Sequence, residues 1–152
     1  MKKIALITAM AAASTLSLAV QAENTADFDI TVEIAESCEV SAIPMLFEDV
    51  NPNEGVTGDD GNGTLTVTCT NGTDYTIELA YGELTHDTDG TATLAYNLYS
   101  DQALAEVWNE TEVEAGTGDG LEQTFDVFAG VDADPEILVG TYQGTVAVTV
   151  VF

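Results

Sequence analysis

Val146, Val148, Val150 and Phe152 alternate with Ala147, Thr149 and Val151 at the C-terminal end of the sequence. That period of two is the pattern of a strand with one face in a core. The sequence runs no further than Phe152, so the expectation is a sheet edge with no later strand to cover it. Such an edge leaves a row of unpaired backbone N–H and C=O groups beside an apolar face, which folded proteins normally avoid. A second stretch has a matching character. In Ala26-Asp-Phe28-Asp-Ile30-Thr-Val32-Glu-Ile34, five apolar residues share one face, and Asp27, Asp29, Thr31 and Glu33 share the other.

Between these two stretches the chain reads as short β runs divided by Gly, Asp, Asn and Thr turns, with no helical period. Residues 37–45 form a strand that holds Cys38 and ends near Pro44. Residues 51–63 are a loop by composition. Residues 64–70 alternate, with Leu65, Val67 and Cys69 on one face, and Asn71-Gly72-Thr73-Asp74 predicts a hairpin into Tyr75, Ile77, Leu79 and Tyr81. After a turn at 85–90, residues 91–100 predict a strand with Leu94, Tyr96 and Leu98 together. Residues 101–108 read as a short helical turn or a bent strand. The acidic, glycine-rich residues 114–120 predict a loop, 121–129 a strand, 131–139 a loop with Pro135, and 141–152 the final strand. Strands at this spacing point to an all-β sandwich with Greek-key connections.

Residues 1–22 have the order of a cleaved secretory signal: Lys2 and Lys3, an apolar run from Ile4 to Val20, then Val20-Gln21-Ala22. The run is rich in Ala, Ser and Thr and short of the ~20 strongly apolar residues of a membrane span. Removing that segment removes every basic side chain. Residues 23–152 hold all 27 Asp and Glu and no Lys or Arg, so the formal charge is −27, against −25 with Lys2 and Lys3. Nucleic acid is excluded as a partner, because affinity for phosphate backbones comes from Lys and Arg. Anionic lipid surfaces are disfavoured for the same reason. Charge this one-sided repels itself and destabilises the compact state in dilute buffer. In about 1 M salt the Debye length shrinks to ~3 Å, so the composition reads as that of a salt-adapted exported protein. Two cysteines, Cys38 and Cys69, in an exported chain read as one disulfide.

Chemistry-bearing patterns are weak. His86 lies in Thr85-His-Asp87-Thr-Asp89-Gly90 and reads as an exposed turn histidine, since no nucleophile context accompanies it. Asp59-Asp60-Gly61-Asn62, Asp87-Thr-Asp89-Gly90 and Asp132-Ala-Asp134 put oxygen ligands on loops, as calcium prefers, but none has EF-hand spacing. Turn chemistry explains the same residues without a metal. Asn62, Asn71 and Asn109 begin Asn-x-Thr sequons. Tyr75, Tyr81, Tyr96, Tyr99, Tyr142 and Trp108 would suit a sugar-binding face, although about half of such aromatics in a two-layer β domain belong to the core. No catalytic residue, cofactor or metal site is expected.

Several stretches together resemble one family: subunits of archaic chaperone–usher pili, also called spore coat protein U-like domains. They are Cys38-Glu-Val40 after the alternating N-terminal stretch, and Val67-Thr-Cys69-Thr-Asn-Gly72-Thr-Asp-Tyr75-Thr-Ile-Glu-Leu79. Leu94-Ala-Tyr96-Asn-Leu98-Tyr99-Ser-Asp101 with Trp108-Asn109 follows, and Gly140-Thr-Tyr142-Gln-Gly-Thr-Val146-Ala-Val148 completes the set. The resemblance implies an incomplete immunoglobulin-like Greek-key sandwich, lacking its final strand, over residues 37–152, after an N-terminal donor-strand extension at 23–36. It implies a pilus subunit, exported through the periplasm to the cell surface and serving attachment and biofilm formation. The implied partners are a periplasmic chaperone that lends a strand, an outer-membrane usher and other pilus subunits. Ala26, Phe28, Ile30, Val32 and Ile34 are then expected to enter a groove edged by Val146, Val148, Val150 and Phe152 of the next copy. Only residues 35–37 separate the donor from Cys38, a reach of about 10 Å, so donation to a neighbour is favoured over self-insertion. The other reading of the residues is a monomeric secreted β-sandwich that binds carbohydrate or calcium.

Overall fold

A computed structural model describes residues 23–152; the expected signal segment, residues 1–22, lies outside the described residues. The chain divides into two units, Met1–Glu33 and Ile34–Phe152. Of the first, residues 23–33 form neither helix nor strand, and Phe28, Ile30 and Val32 are exposed. The strand expected at 26–34 is therefore not formed within this unit.

The second unit contains ten strands and no helix among the described residues. They are β1 (Cys38–Ile43), β2 (Asn62–Cys69), β3 (Asp74–Ala80), β4 (Leu84–His86), β5 (Thr93–Leu94), β6 (Asn97–Tyr99), β7 (Glu114–Thr117), β8 (Glu122–Gly130), β9 (Tyr142–Gln143) and β10 (Ala147–Val151). All pairs are antiparallel. One sheet runs β1-β2-β8-β6, a second β10-β3-β7, and a small third β5-β4-β9.

Alternation builds the core as the sequence predicts. Leu65, Val67 and Cys69 of β2 are buried, and Tyr75, Ile77 and Leu79 of β3 are buried in the opposing sheet. Leu98 of β6, Val127 and Ala129 of β8, and Trp108 complete the cluster. The threonines between them on β2 face outward, where a β-branched polar side chain suits a pleated surface. Cys38 lies directly opposite Cys69 on β2, and the two are bonded at an S–S distance of 2.01 Å. The loop they close spans a sequence separation of 31. Closing a loop of that size stabilises a fold by about 3–4 kcal/mol in the chain-entropy account.

Four expectations need correction. The Asn71-Gly72 turn does not make a hairpin, because β2 and β3 lie in different sheets. Its backbone bonds instead to the β7–β8 connection: Gly72 N–H donates to Gly118 O (2.8 Å) and Gly118 N–H to Thr73 O (2.8 Å). Residues 91–100 divide into β5 and β6, which join different sheets. Residues 141–152 likewise divide into β9 and β10 around Gly144, where an added Cβ would lie 2.7 Å from Leu84 Cδ2. Residues 114–117, read as loop, form β7. A glycine is required there, since a Cβ on Gly116 would fall 2.6 Å from the Tyr75 ring.

The ambiguous segment 101–108 is neither helix nor strand. Asp101 Oδ1 accepts from the N–H groups of Ala105 (2.9 Å) and Glu106 (2.7 Å), and folds the segment into a side-chain-capped turn. An isolated bridge from Tyr99 to Val107 then delivers Trp108 into the core.

Candidate functional site

Two strands end their sheets on one side. β1 pairs with β2 alone, and β10 pairs with β3 alone. They belong to different sheets, and their Cα atoms come within 8 Å of each other without forming a ladder. Directly opposed residues of an antiparallel pair share a face, so the register tells which side chains of each edge point inward. On β1, Cys38, Val40 and Ala42 oppose the buried Cys69, Val67 and Leu65. On β10, Val148 and Val150 oppose the buried Leu79 and Ile77.

These inward-facing side chains are not covered. Val40 is 41% exposed and Ala42 is exposed, although both stand on the core side of their sheet. Val146, Val148 and Val150 pack on the core cluster yet remain half-buried, as do Met45 and Phe47 just after β1. Ile43, Leu46 and Phe152 are exposed. The result is an apolar strip bordered by two rows of backbone groups that no strand among the described residues pairs. An uncovered edge of this kind is a template for an added strand.

The structure gathers Val146, Val148 and Val150 on one face, with Phe152 just past the end of β10, and bonds Cys38 to Cys69. Ala26, Phe28, Ile30, Val32 and Ile34 are exposed and form no strand pair among the described residues. The sequence reading missed the second border, β1, together with Met45 and Phe47. Cys38, Val40 and Ala42 alternate in the sequence, but that alternation marks a strand and does not say that the strand ends its sheet.

Titratable groups are committed to structure. His86 is a buried side chain, 6% exposed, and not an exposed turn histidine. Its Nδ1 accepts the backbone N–H groups of Thr88 (3.2 Å) and Asp89 (2.9 Å), which leaves Nε2 to donate to Val139 O at 3.2 Å. Tyr142 packs edge-on against the ring at 5.0 Å, and Gly140 leaves the space that the imidazole fills. The Asp60 carboxylate accepts the backbone N–H and the hydroxyl of Thr57, which hold its pKa below the usual carboxylate value. The hydroxyl and backbone N–H of Thr91 do the same for Asp89. Asp134 caps the N–H of Glu136. Asp60, Asp89 and Asp134, three of the carboxylates that suggested calcium loops, thus close turns, and among the described residues no three His, Cys, Asp or Glu side chains group to hold a metal ion.

The aromatics are divided in the same way. Trp108 and Tyr75 are core, while Tyr81 and Tyr96 stack on each other at 5.1 Å. Burial pushes the Tyr75 phenol up, with Asp119 adding to it, and burial followed by the neighbouring Tyr81 raises Tyr96. A phenol kept neutral in the fold loses its proton more readily when unfolded. The stability it contributes is whole below about pH 10 and is lost as pH rises through the raised folded value. Thermal melting temperature is therefore expected to fall as pH rises above about 10. Tyr96→Phe, which keeps the ring, flattens that slope; an unchanged slope would show that Tyr96 does not carry it.

Two packed sheets joined across the sandwich, β2 to β3 and β7 to β8, with free edges at β1 and β10, define an immunoglobulin-like all-β sandwich. The chain belongs to the Spore Coat Protein U domain family, whose match covers residues 24–149. Among solved structures it is similar to a chain in the crystal structure of the CsuC–CsuE chaperone–tip adhesion subunit pre-assembly complex from the archaic chaperone-usher Csu pili of Acinetobacter baumannii. That likeness has a TM-score of 0.61 at 19% identity and covers 78% of this chain. This chain spans 40% of the length of that one. No curated protein matches its sequence.

Proposed function

We propose that this protein is a structural subunit of a chaperone–usher surface pilus and polymerises by donor-strand exchange. Residues 26–34 of one copy enter the strip between β1 and β10 of the next, and Phe28, Ile30, Val32 and Ile34 cover the inward faces of both borders. The observation that carries this reading is the exposure of Val40 and Ala42 on the core side of β1, across from the half-buried Val148 and Val150 of β10. Membership of the Spore Coat Protein U domain family and the likeness to a chaperone–subunit complex support it. A head-to-tail contact of this kind does not close on itself, so it builds fibres. The partners are then other subunits, a periplasmic chaperone that fills the strip during export and an outer-membrane usher. The fibre reaches the cell surface through the periplasm and serves attachment and biofilm formation there.

The test compares the chain 23–152 with the chain 37–152, each made in an oxidising compartment and run by size exclusion in high salt. The longer chain is expected to form a ladder of oligomers. The shorter one is expected to melt at a lower temperature until a peptide of residues 24–36 restores it. Stable monomers from both, with no response to the peptide, would instead favour a monomeric binding module.

A further inference from the structure

The donor segment is amphipathic in an unusual way. If Phe28, Ile30, Val32 and Ile34 turn inward, the period of two forces Asp27, Asp29, Thr31 and Glu33 outward. The borders present acid on that same outer side. On β1 the outward residues are Glu39, Ser41 and Ile43, and behind β10 the outward Thr149 stands opposite Glu78 of β3. A strand added beside β1 puts its outward side chains about 5–8 Å from those of β1, directly or diagonally. One added beside β10 lies two strand spacings, roughly 10 Å, from β3. Both distances fall within the ~10 Å Debye length of 0.1 M salt and well beyond the ~3 Å of 1 M salt. Residues 23–152 contain no Lys or Arg to offset any of these contacts.

We infer that strand donation between copies is gated by ionic strength, and that the gate is the outward acidic face of the donor, Asp27, Asp29 and Glu33, set against Glu39 and Glu78. The inference rests on the strand-donation reading above. In dilute buffer the apolar strip attracts the donor while its outer face is repelled. Concentrated salt removes the repulsion and leaves the apolar term intact. Assembly therefore switches on as ionic strength rises.

The experiment follows fibre growth of the chain 23–152 by light scattering and size exclusion from 0.1 to 1 M KCl, with circular dichroism at each step to mark where the fold is intact. Three proteins are compared: the parent, the donor-face variant Asp27→Asn/Asp29→Asn/Glu33→Gln, and a control, Glu106→Gln/Glu110→Gln/Glu112→Gln. The control removes the same number of charges from the β6–β7 connection, which continues from the far edge of the β1 sheet. Its Asn109 O takes Leu79 N–H on the side of β3 away from β10. Like charges on neighbouring strands are destabilising and salt screens them, so the growth rate of parent and control is expected to rise about a hundredfold over this range. The donor-face variant is expected to rise less than about tenfold and to assemble already at 0.1 M. If the fold is lost at the low end, the slopes above that point carry the comparison. Equal slopes for all three, or no rise for the parent, overturn the inference. Growth that persists in 1 M KCl with Ile30→Asp overturns the strand-donation reading itself, and the inference with it.

Discussion

A chain carrying Ile30→Asp is expected to remain monomeric where the parent chain forms a ladder of oligomers. Ile30 is the second of four apolar residues that would line the strip, and it is 77% exposed before any donation. Covering an isoleucine stabilises by about 1.5–3 kcal/mol, and taking an unpaired carboxylate out of water costs several kcal/mol more. A combined loss on the order of 4 kcal/mol or more weakens each subunit contact by about a thousandfold or more. The reciprocal change is Val148→Asp on β10, which spoils the receiving strip and leaves the donor intact. Val148 is half-buried on an edge strand, so circular dichroism is needed to show that the variant still folds. Each variant alone is expected to be a monomer. Mixed, they should give a one-to-one pair and stop, because the intact donor of the Val148→Asp chain fills the intact strip of the Ile30→Asp chain. A mixture that forms long fibres, or no complex at all, would show that the two residues do not meet across the contact.

The sequence carries the inward and outward pattern of β2, β3 and β8, because each has one face in the core and the other toward water. Leu65, Val67, Tyr75, Ile77, Leu79 and Val127 are all buried as the alternation requires. Connectivity was less legible. Asn71-Gly72 specifies a tight turn, but turn chemistry does not say which sheet the next strand joins. The short strands were hidden for a different reason. Glu114-Ala-Gly-Thr117 has no apolar alternation, and it pairs with β3 because Gly116 makes room for the Tyr75 ring. His86 sits in a run of turn residues that looks exposed, and the fold buries it by placing Val139, Gly140 and Tyr142 around the ring. Of the candidate site, β10 was visible in its valines. β1 was not, because its exposure on the core side is a property of the sheet order and not of its own residues.

Trp108→Ala is expected to cost about 3–5 kcal/mol, the range for removing a large aromatic from a core. Its side chain has no exposed surface, and it meets Phe125 of β8 at a centroid distance of 6.2 Å. Its indole N–H donates to Ile77 O at 2.8 Å, so the truncation also strands a buried carbonyl. Trp108→Phe separates the two terms. It keeps much of the volume and removes the donor, for an expected cost of about 1–3 kcal/mol. Against a total stability of roughly 5–15 kcal/mol for a domain, the alanine variant stands near the limit of folding. The damage reaches the candidate site through one strand. Ile77 lies on β3, and the residue directly opposite it on β10 is Val150. Loosening β3 at Ile77 therefore loosens the border that would receive a donor strand. Thermal melting should rank parent, Trp108→Phe and Trp108→Ala in falling order, and donor-peptide affinity should fall in the same order. If Trp108→Phe melts with the parent, the Ile77 carbonyl has found another donor and the indole acts by packing alone. If affinity stays level while stability falls, β10 is held by its ladder to β3 without help from the core beneath it.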